Sequence, residues 1–215
     1  MRQSFWNLNF RVETHRKYLA GGPSGGHHHH HHGGSGGDRG CPRGWKYFRR
    51  PSGGWCIRVF AGHVDQKVAE KKCKDERATL TGLQNSDEID FIQRQAIKVI
   101  KQGSGSVWIG ARRRDSCKNV GLTADCTETN SFRWTDGSTS GTDGFQWNKG
   151  QPDNVWDRTQ HCAVLLAART PIVIVKGVEW SNKMLDDTAC FVKGAGGQSL
   201  RRHEAYACGR KPSRR

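Results

Sequence analysis

Eight cysteines, Cys41, Cys56, Cys73, Cys117, Cys126, Cys162, Cys190 and Cys208, are the residues whose type and spacing promise chemistry. Their number is even, all follow residue 40, and no two form a C-x-x-C pair. That pattern argues against a zinc ribbon or a thioredoxin-type redox site and for disulfides. Disulfides require an oxidising compartment, so an extracellular, secreted protein is expected. The first twenty residues do not supply the matching export signal. Arg2, Arg11, Glu13, Arg16 and Lys17 stand where an apolar core segment belongs, which implies a misassigned start, trimming or engineering.

Motifs for catalysis fare poorly. His203-Glu204 lacks the second histidine of a zincin helix, because position 207 is Ala. Gly22-Pro-Ser24-Gly-Gly26 matches the nucleophile-elbow pattern in letters only, since it lies in a linker rather than on a strand-to-helix turn. Gly194-Ala-Gly-Gly197 has no strand-then-helix context and reads as a surface loop. His15, His63, His161 and His203 read as ordinary surface residues, and no nucleophile stands with a base. The protein is therefore expected not to be an enzyme.

The elements that must position any site follow from composition and periodicity. The chain has 215 residues, enough for one domain of about 150 residues with appendages. Residues 21–40 are mostly Gly and Ser around six consecutive histidines, His27 to His32, either a purification tag or a natural tract. Such a composition cannot pack a core, so 1–40 is expected to be a disordered N-terminal segment. The longest apolar run, Cys162 to Ala168, is far short of the roughly 20 residues of a spanning helix, so no membrane span is expected. The formal charge of +15 is spread along the chain, with clusters at Arg49-Arg50, Lys71-Lys72-Lys74, Arg112-Arg113-Arg114 and Arg201-Arg202 and a basic tail at 211–215. These clusters read as solvated faces, or as a surface for an anionic glycan. Nucleic acid is not expected, because interleaved aromatics are missing and the cysteines place the chain outside the cell.

Asp65 can cap a helix that carries Val68, Ala69 and Cys73 on one face. A second helix is predicted from Ser86, with Ile89, Ile92, Ala96 and Ile100 at helical spacing, ending near Gly103. Short β-like runs follow at 107–109, 132–134, 163–166, 172–175 and 206–208, separated by turn residues. Helices first and strands after predict an α+β fold.

In order along the chain stand Cys41-Pro-Arg-Gly-Trp45, Trp55-Cys56, Val107-Trp-Ile-Gly110, Phe132-Arg-Trp134-Thr-Asp-Gly-Ser138, Phe145-Gln-Trp147, Gln151-Pro-Asp153, His161-Cys162, Cys190 and Tyr206-Ala-Cys208. This series resembles the C-type lectin domain, in the long extracellular form of secreted invertebrate-type members, over residues 41–210. The resemblance implies two helices, small antiparallel sheets and a long loop region, braced by disulfides Cys41–Cys56, Cys73–Cys208 and Cys162–Cys190. Cys117–Cys126 is left as an extra local bridge. Trp45, Trp55, Trp108, Trp134, Trp147 and Trp180 are assigned to the framework, whereas residues 111–131 and 167–179 are longer than the compact family pattern.

Sugar-binding members of the family hold calcium in the long loop, and the ion leaves two coordination positions for adjacent sugar hydroxyls. The resemblance implies a set of Gln151, Asp153, Gln160, Asp186 and Asp187 for the metal, with Gln151, Asp153, Trp156 and Asp186 meeting the sugar. Gln151-Pro152-Asp153 is similar to the galactose-type triplet, and Pro152 is expected to be cis. Gln160 stands where an acid is usual, and Asp186 where an Asn is usual. Two functions follow as expectations: a calcium-dependent, galactose-type glycan binder, or a calcium-independent module of the same fold that holds acidic glycans or a protein through its basic surface.

Overall fold

The computed structural model describes residues 40–175, 177–192 and 202–213, and for Trp156 the backbone alone. Residues 1–39 of the expected disordered segment, the Gly194–Gly197 run and the last two residues of the basic tail lie outside the described residues.

The chain opens with an antiparallel hairpin, β1 (Lys46–Arg50) and β2 (Gly53–Ala61), in register Tyr47 to Cys56. Helix α1 (Gln66–Asp75) follows, then the short β3 (Thr79–Leu80) and helix α2 (Ser86–Val99). After these come β4 (Ser104–Arg113), β5 (Phe132–Trp134), the single turn α3 (Val155–Arg158), β6 (Cys162–Ala168), a hairpin of β7 (Ile172–Val175) and β8 (Val178–Ser181), β9 (Leu185–Thr188) and β10 (His203–Arg210). The main sheet runs β1-β2-β10-β4-β6-β9, with β3 on β10 and β5 on β4. Among the described strands, β10 and β4 pair in parallel and the other strand pairs are antiparallel.

Strands β4, β6 and β10 are buried on both faces, and their alternation explains how. Val107, Ile109, Ala163, Leu165, Ala205 and Ala207 point into one apolar cluster. Their neighbours Trp108, Val164, Tyr206 and Cys208 point into a second. Helix α2 covers the first face with Ile89, Ile92 and Ala96; α1 covers the second with Ala69 and Cys73. At Gly110 a Cβ would lie 2.1 Å from the Leu80 carbonyl oxygen, so only glycine lets β3 close over β4.

Several expectations need adjusting. Val68 is 42% exposed, because the buried stripe of α1 is Gln66, Ala69 and Cys73. Asp65 makes no side-chain cap; its carboxylate instead accepts from the Val192 amide at 2.7 Å. Helix α2 ends at Val99 rather than near Gly103, since Ile100 turns extended and Ser104 already belongs to β4. Its N-cap is Asn85, whose side chain accepts from the Glu88 amide. Two arginines of the supposed solvated clusters, Arg50 and Arg113, are 3% exposed. Each ends a strand on its inward-facing side and finds carboxylates there. Trp45, Trp55, Trp108 and Trp180 are buried, while Trp134 and Trp147 are partly buried against the core.

Four disulfides brace this frame: Cys41–Cys56, Cys73–Cys208, Cys117–Cys126 and Cys162–Cys190. The second ties α1 to β10 over 135 residues of sequence. The long segment 111–131 is pinned by Cys117–Cys126 across a 3-10 turn, Asp115–Cys117. The longer stretch at 167–179 becomes the end of β6 and the β7–β8 ribbon.

Candidate functional site

The long loop between β5 and β6 is hung on β9. Leu185 donates its amide to the Gln146 carbonyl at 2.7 Å, and the Leu185 carbonyl accepts from the Asn148 amide at 2.9 Å. The Asn148 side chain then clips β8, donating to the Glu179 carbonyl and accepting from the Ser181 amide. Strand β9 pairs with β6, setting Asp186 opposite Val164 and Asp187 opposite Ala163.

Gln151-Pro152 is a cis peptide bond. Gln151 and Asp153 on either side are half-buried and bonded to each other: Gln151 Nε2 donates to Asp153 Oδ2 at 3.3 Å, and the Asp153 amide donates to Gln151 Oε1 at 3.1 Å. Asn154 takes a left-handed backbone, φ 51°, which Asn tolerates better than most residues. Fully buried, it donates from Nδ2 to the carbonyls of Lys118 and Val120 and accepts from the Gln160 amide, so it ties the loop to the Cys117–Cys126 region.

Beneath this loop sits a charge that sequence reading assigned to the surface. Arg113 Nη2 donates to Asp187 Oδ2, and both side chains are inaccessible to solvent. Arg113 Nε donates to the Gln160 carbonyl at 2.9 Å, and its guanidinium lies 4.7 Å from the centre of the Phe132 ring. Asp187 Oδ2 also accepts from the Asn154 amide at 2.8 Å, and Gln160 Nε2 donates to the Asp187 carbonyl at 3.0 Å. Burial lowers the affinity of Arg113 for its proton, while Asp187 and Asp153 work in the opposite sense. Burial, with the Asp186 charge beside it, pushes the Asp187 carboxyl up to about 7; Arg113 opposes this and is outweighed.

Of the six residues expected to bind metal or sugar, Gln160 and Asp187 thus meet on Arg113, Gln151 and Asp153 meet at the loop surface, and Asp186 is buried beside Asp187. The Trp156 side chain lies outside the described residues. Arg113 and Asn154 are organising residues that sequence reasoning missed. Strand alternation held the signal for the first, because extending the 107–109 run by four residues puts Arg113 on the core side with Ile109 and Ala111.

Calcium takes six to eight oxygens. Two buried acceptors, Gln160 Oε1 and Asp187 Oδ1, have no hydrogen-bond partner among the described residues. Against them stands the guanidinium, in contact with the same carboxylate a metal would need. Among the described residues no three His, Cys, Asp or Glu side chains gather closely enough to hold a metal ion. As folded, the loop does not fit calcium, and its buried carboxylate is met by an arginine.

A two-helix α+β frame, four disulfides and a long loop carrying the cis Gln151-Pro152 define a C-type lectin domain. The chain belongs to the family described as C-type lectin domain-containing protein 141/158, whose family model matches residues 48–211. Versican core protein of Bos taurus is 29% identical over 123 residues, covering 57% of this chain and 3% of versican. Among solved structures, the C-type lectin CEL-I of Cucumaria echinata superposes with a TM-score of 0.52 at 19% identity, covering 80% of this chain and 99% of CEL-I. The cow C-type carbohydrate-recognition domain of CD23, solved in the presence of GlcNAc2Man3 oligosaccharide, gives a TM-score of 0.50 at 17% identity, covering 81% and 98%. At these identities the superpositions establish the fold alone.

Proposed function

We propose that this domain is an extracellular glycan-binding module that works without calcium and takes acidic glycans through its basic surface. The observation that carries the reading is the Arg113–Asp187 contact: a built-in cation faces the carboxylate and holds the Gln160 carbonyl, at the place where a metal would have to sit. A carbohydrate-recognition domain, that of cow CD23, and a C-type lectin, CEL-I, share the fold, which supports glycan as the ligand class. The formal charge of +15 supports the acidic kind.

A second reading, calcium-dependent recognition of galactose-type sugars at Gln151, Asp153, Trp156 and Asp186, draws on the two unpartnered acceptors Gln160 Oε1 and Asp187 Oδ1. It requires Arg113 to leave Asp187. A glycan array probed with the intact chain in calcium and again in chelator separates the two. The proposed function predicts the same acidic glycans in both conditions; galactose-terminated glycans retained only in calcium would establish the second reading instead.

A further inference from the structure

Helix α2 buries Ile89, Ile92 and Ala96 and turns Arg94 and Lys98 outward, one helical turn apart on the same face. Two open cavities lie against that face, of about 530 Å³ and 390 Å³, and both are lined by Ile97 and Arg169, so they adjoin. Arg94 and Lys98 line the first, and Lys183 the second. Arg169 stands at the junction, fixed by its own amide donating to the Gly103 carbonyl and by Nη2 donating to the Ile97 carbonyl at 2.9 Å. The wall of the second cavity is stiff: Gln93 Nε2 donates to the Ala168 carbonyl, and the Ala168 amide donates to Asn182 Oδ1. Four cations thus border one continuous groove. The carboxylate that pairs with them is Asp90, 2.8 Å from Lys183 Nζ and 3.8 Å from Arg94 Nη1. Among the described residues no carboxylate pairs with Lys98 or Arg169, so their charge is left for a ligand.

We infer that this groove, formed by the outer face of α2 with residues 169–171 and 182–183, binds a sulfated polysaccharide chain. The inference rests on the acidic-glycan reading above and gives it a place that shares no residue with the long loop. A sulfated chain fits because it offers anions at intervals along an extended backbone, matching a row of fixed cations in an open groove. No aromatic ring lines either cavity, so the stacking platform that single-stranded nucleic acid uses is missing. The lysine-rich face of α1 is a weaker candidate, since Glu70 and Asp75 are interleaved with Lys67, Lys71 and Lys74, and Lys71 is already paired with Asp75.

Heparin is the probe, titrated against the full chain near physiological salt. Replacing Arg94→Gln together with Lys98→Gln, which removes no main-chain bond, is expected to weaken heparin binding about tenfold. Arg169→Gln alone should weaken it by a few fold. The control Lys71→Gln with Lys74→Gln removes the same charge from α1 and should change affinity less than about twofold. Equal losses in the groove and control variants would overturn the groove while leaving an acidic-glycan binder. A parent that does not bind heparin at all would overturn both. Tighter binding of single-stranded DNA than of heparin would overturn the polysaccharide as occupant.

Discussion

Arg50 shows at the residue level how the fold treats an inward-facing charge. Its Nε and Nη2 grip Glu88 at 2.8 and 2.7 Å, Nη1 reaches Asp136 at 2.9 Å, and Thr81, Thr139 and the Gly82 carbonyl accept its other hydrogens. Asp136 is held as firmly, accepting from the amides of Gly82, Ser138 and Thr139 and from the Thr139 hydroxyl. Burial alone would raise its pKa; the Thr139 amide, the Arg50 charge and the Ser138 amide outweigh that and leave it lowered. A carboxyl lowered on folding gives stability that is complete above its unfolded pKa, about 3.9, and is lost as pH falls through the lower folded value. Urea unfolding of the parent and of Asp136→Asn should therefore differ most near neutral pH, and the gap should shrink as pH drops below about 4. A gap that is constant with pH would show that Asp136 titrates alike in both states. Neither Arg50 nor Arg113 was legible as buried, because a run of adjacent arginines looks like surface until strand alternation is applied to its members.

Legibility improves at the level of elements, and unevenly. Helix α2 could be read because its apolar spacing and acidic first turn agree with its burial. Strand β6 could be read because seven successive small or apolar residues suit a strand covered on both faces. Strand β9 was illegible: Leu-Asp-Asp-Thr contains residues that strands disfavour, and only its pairing with β6 and the bonds from the long loop make it one. The β1–β2 hairpin was not legible from periodicity; the family resemblance implied only the Cys41–Cys56 bridge beside it. The disulfide partners needed that resemblance too, since eight cysteines alone permit 105 arrangements. Their loop lengths set a ranking. Closing 135 residues, Cys73–Cys208 should contribute about 5 kcal/mol, whereas Cys117–Cys126, closing nine, should contribute about 2.6 kcal/mol. Paired Cys→Ser variants compared by thermal unfolding should follow that order; a larger loss from the Cys117–Cys126 pair would mean that this bridge acts by holding Asn154 and the long loop in the native state.

At the scale of the molecule, the sheet carries two apolar faces, and of the described lysines and arginines Arg50 and Arg113 are the buried ones. The family fold could be named from ordered motifs. The proposed independence of metal could not be read from the loop residues themselves, because Arg113 lies some forty residues before the triplet. In the proposed function this arginine does the work of an ion. Thermal unfolding of the parent and of Arg113→Met, each in millimolar calcium and in chelator, tests it most directly. The parent should melt at the same temperature in both, and Arg113→Met should melt about 10 °C lower in chelator, the effect of stranding a buried carboxylate at about 3–5 kcal/mol. A parent whose melting temperature rises by several degrees in calcium, as a ligand at a hundredfold excess over its Kd would produce through about 2.7 kcal/mol, would contradict the claim.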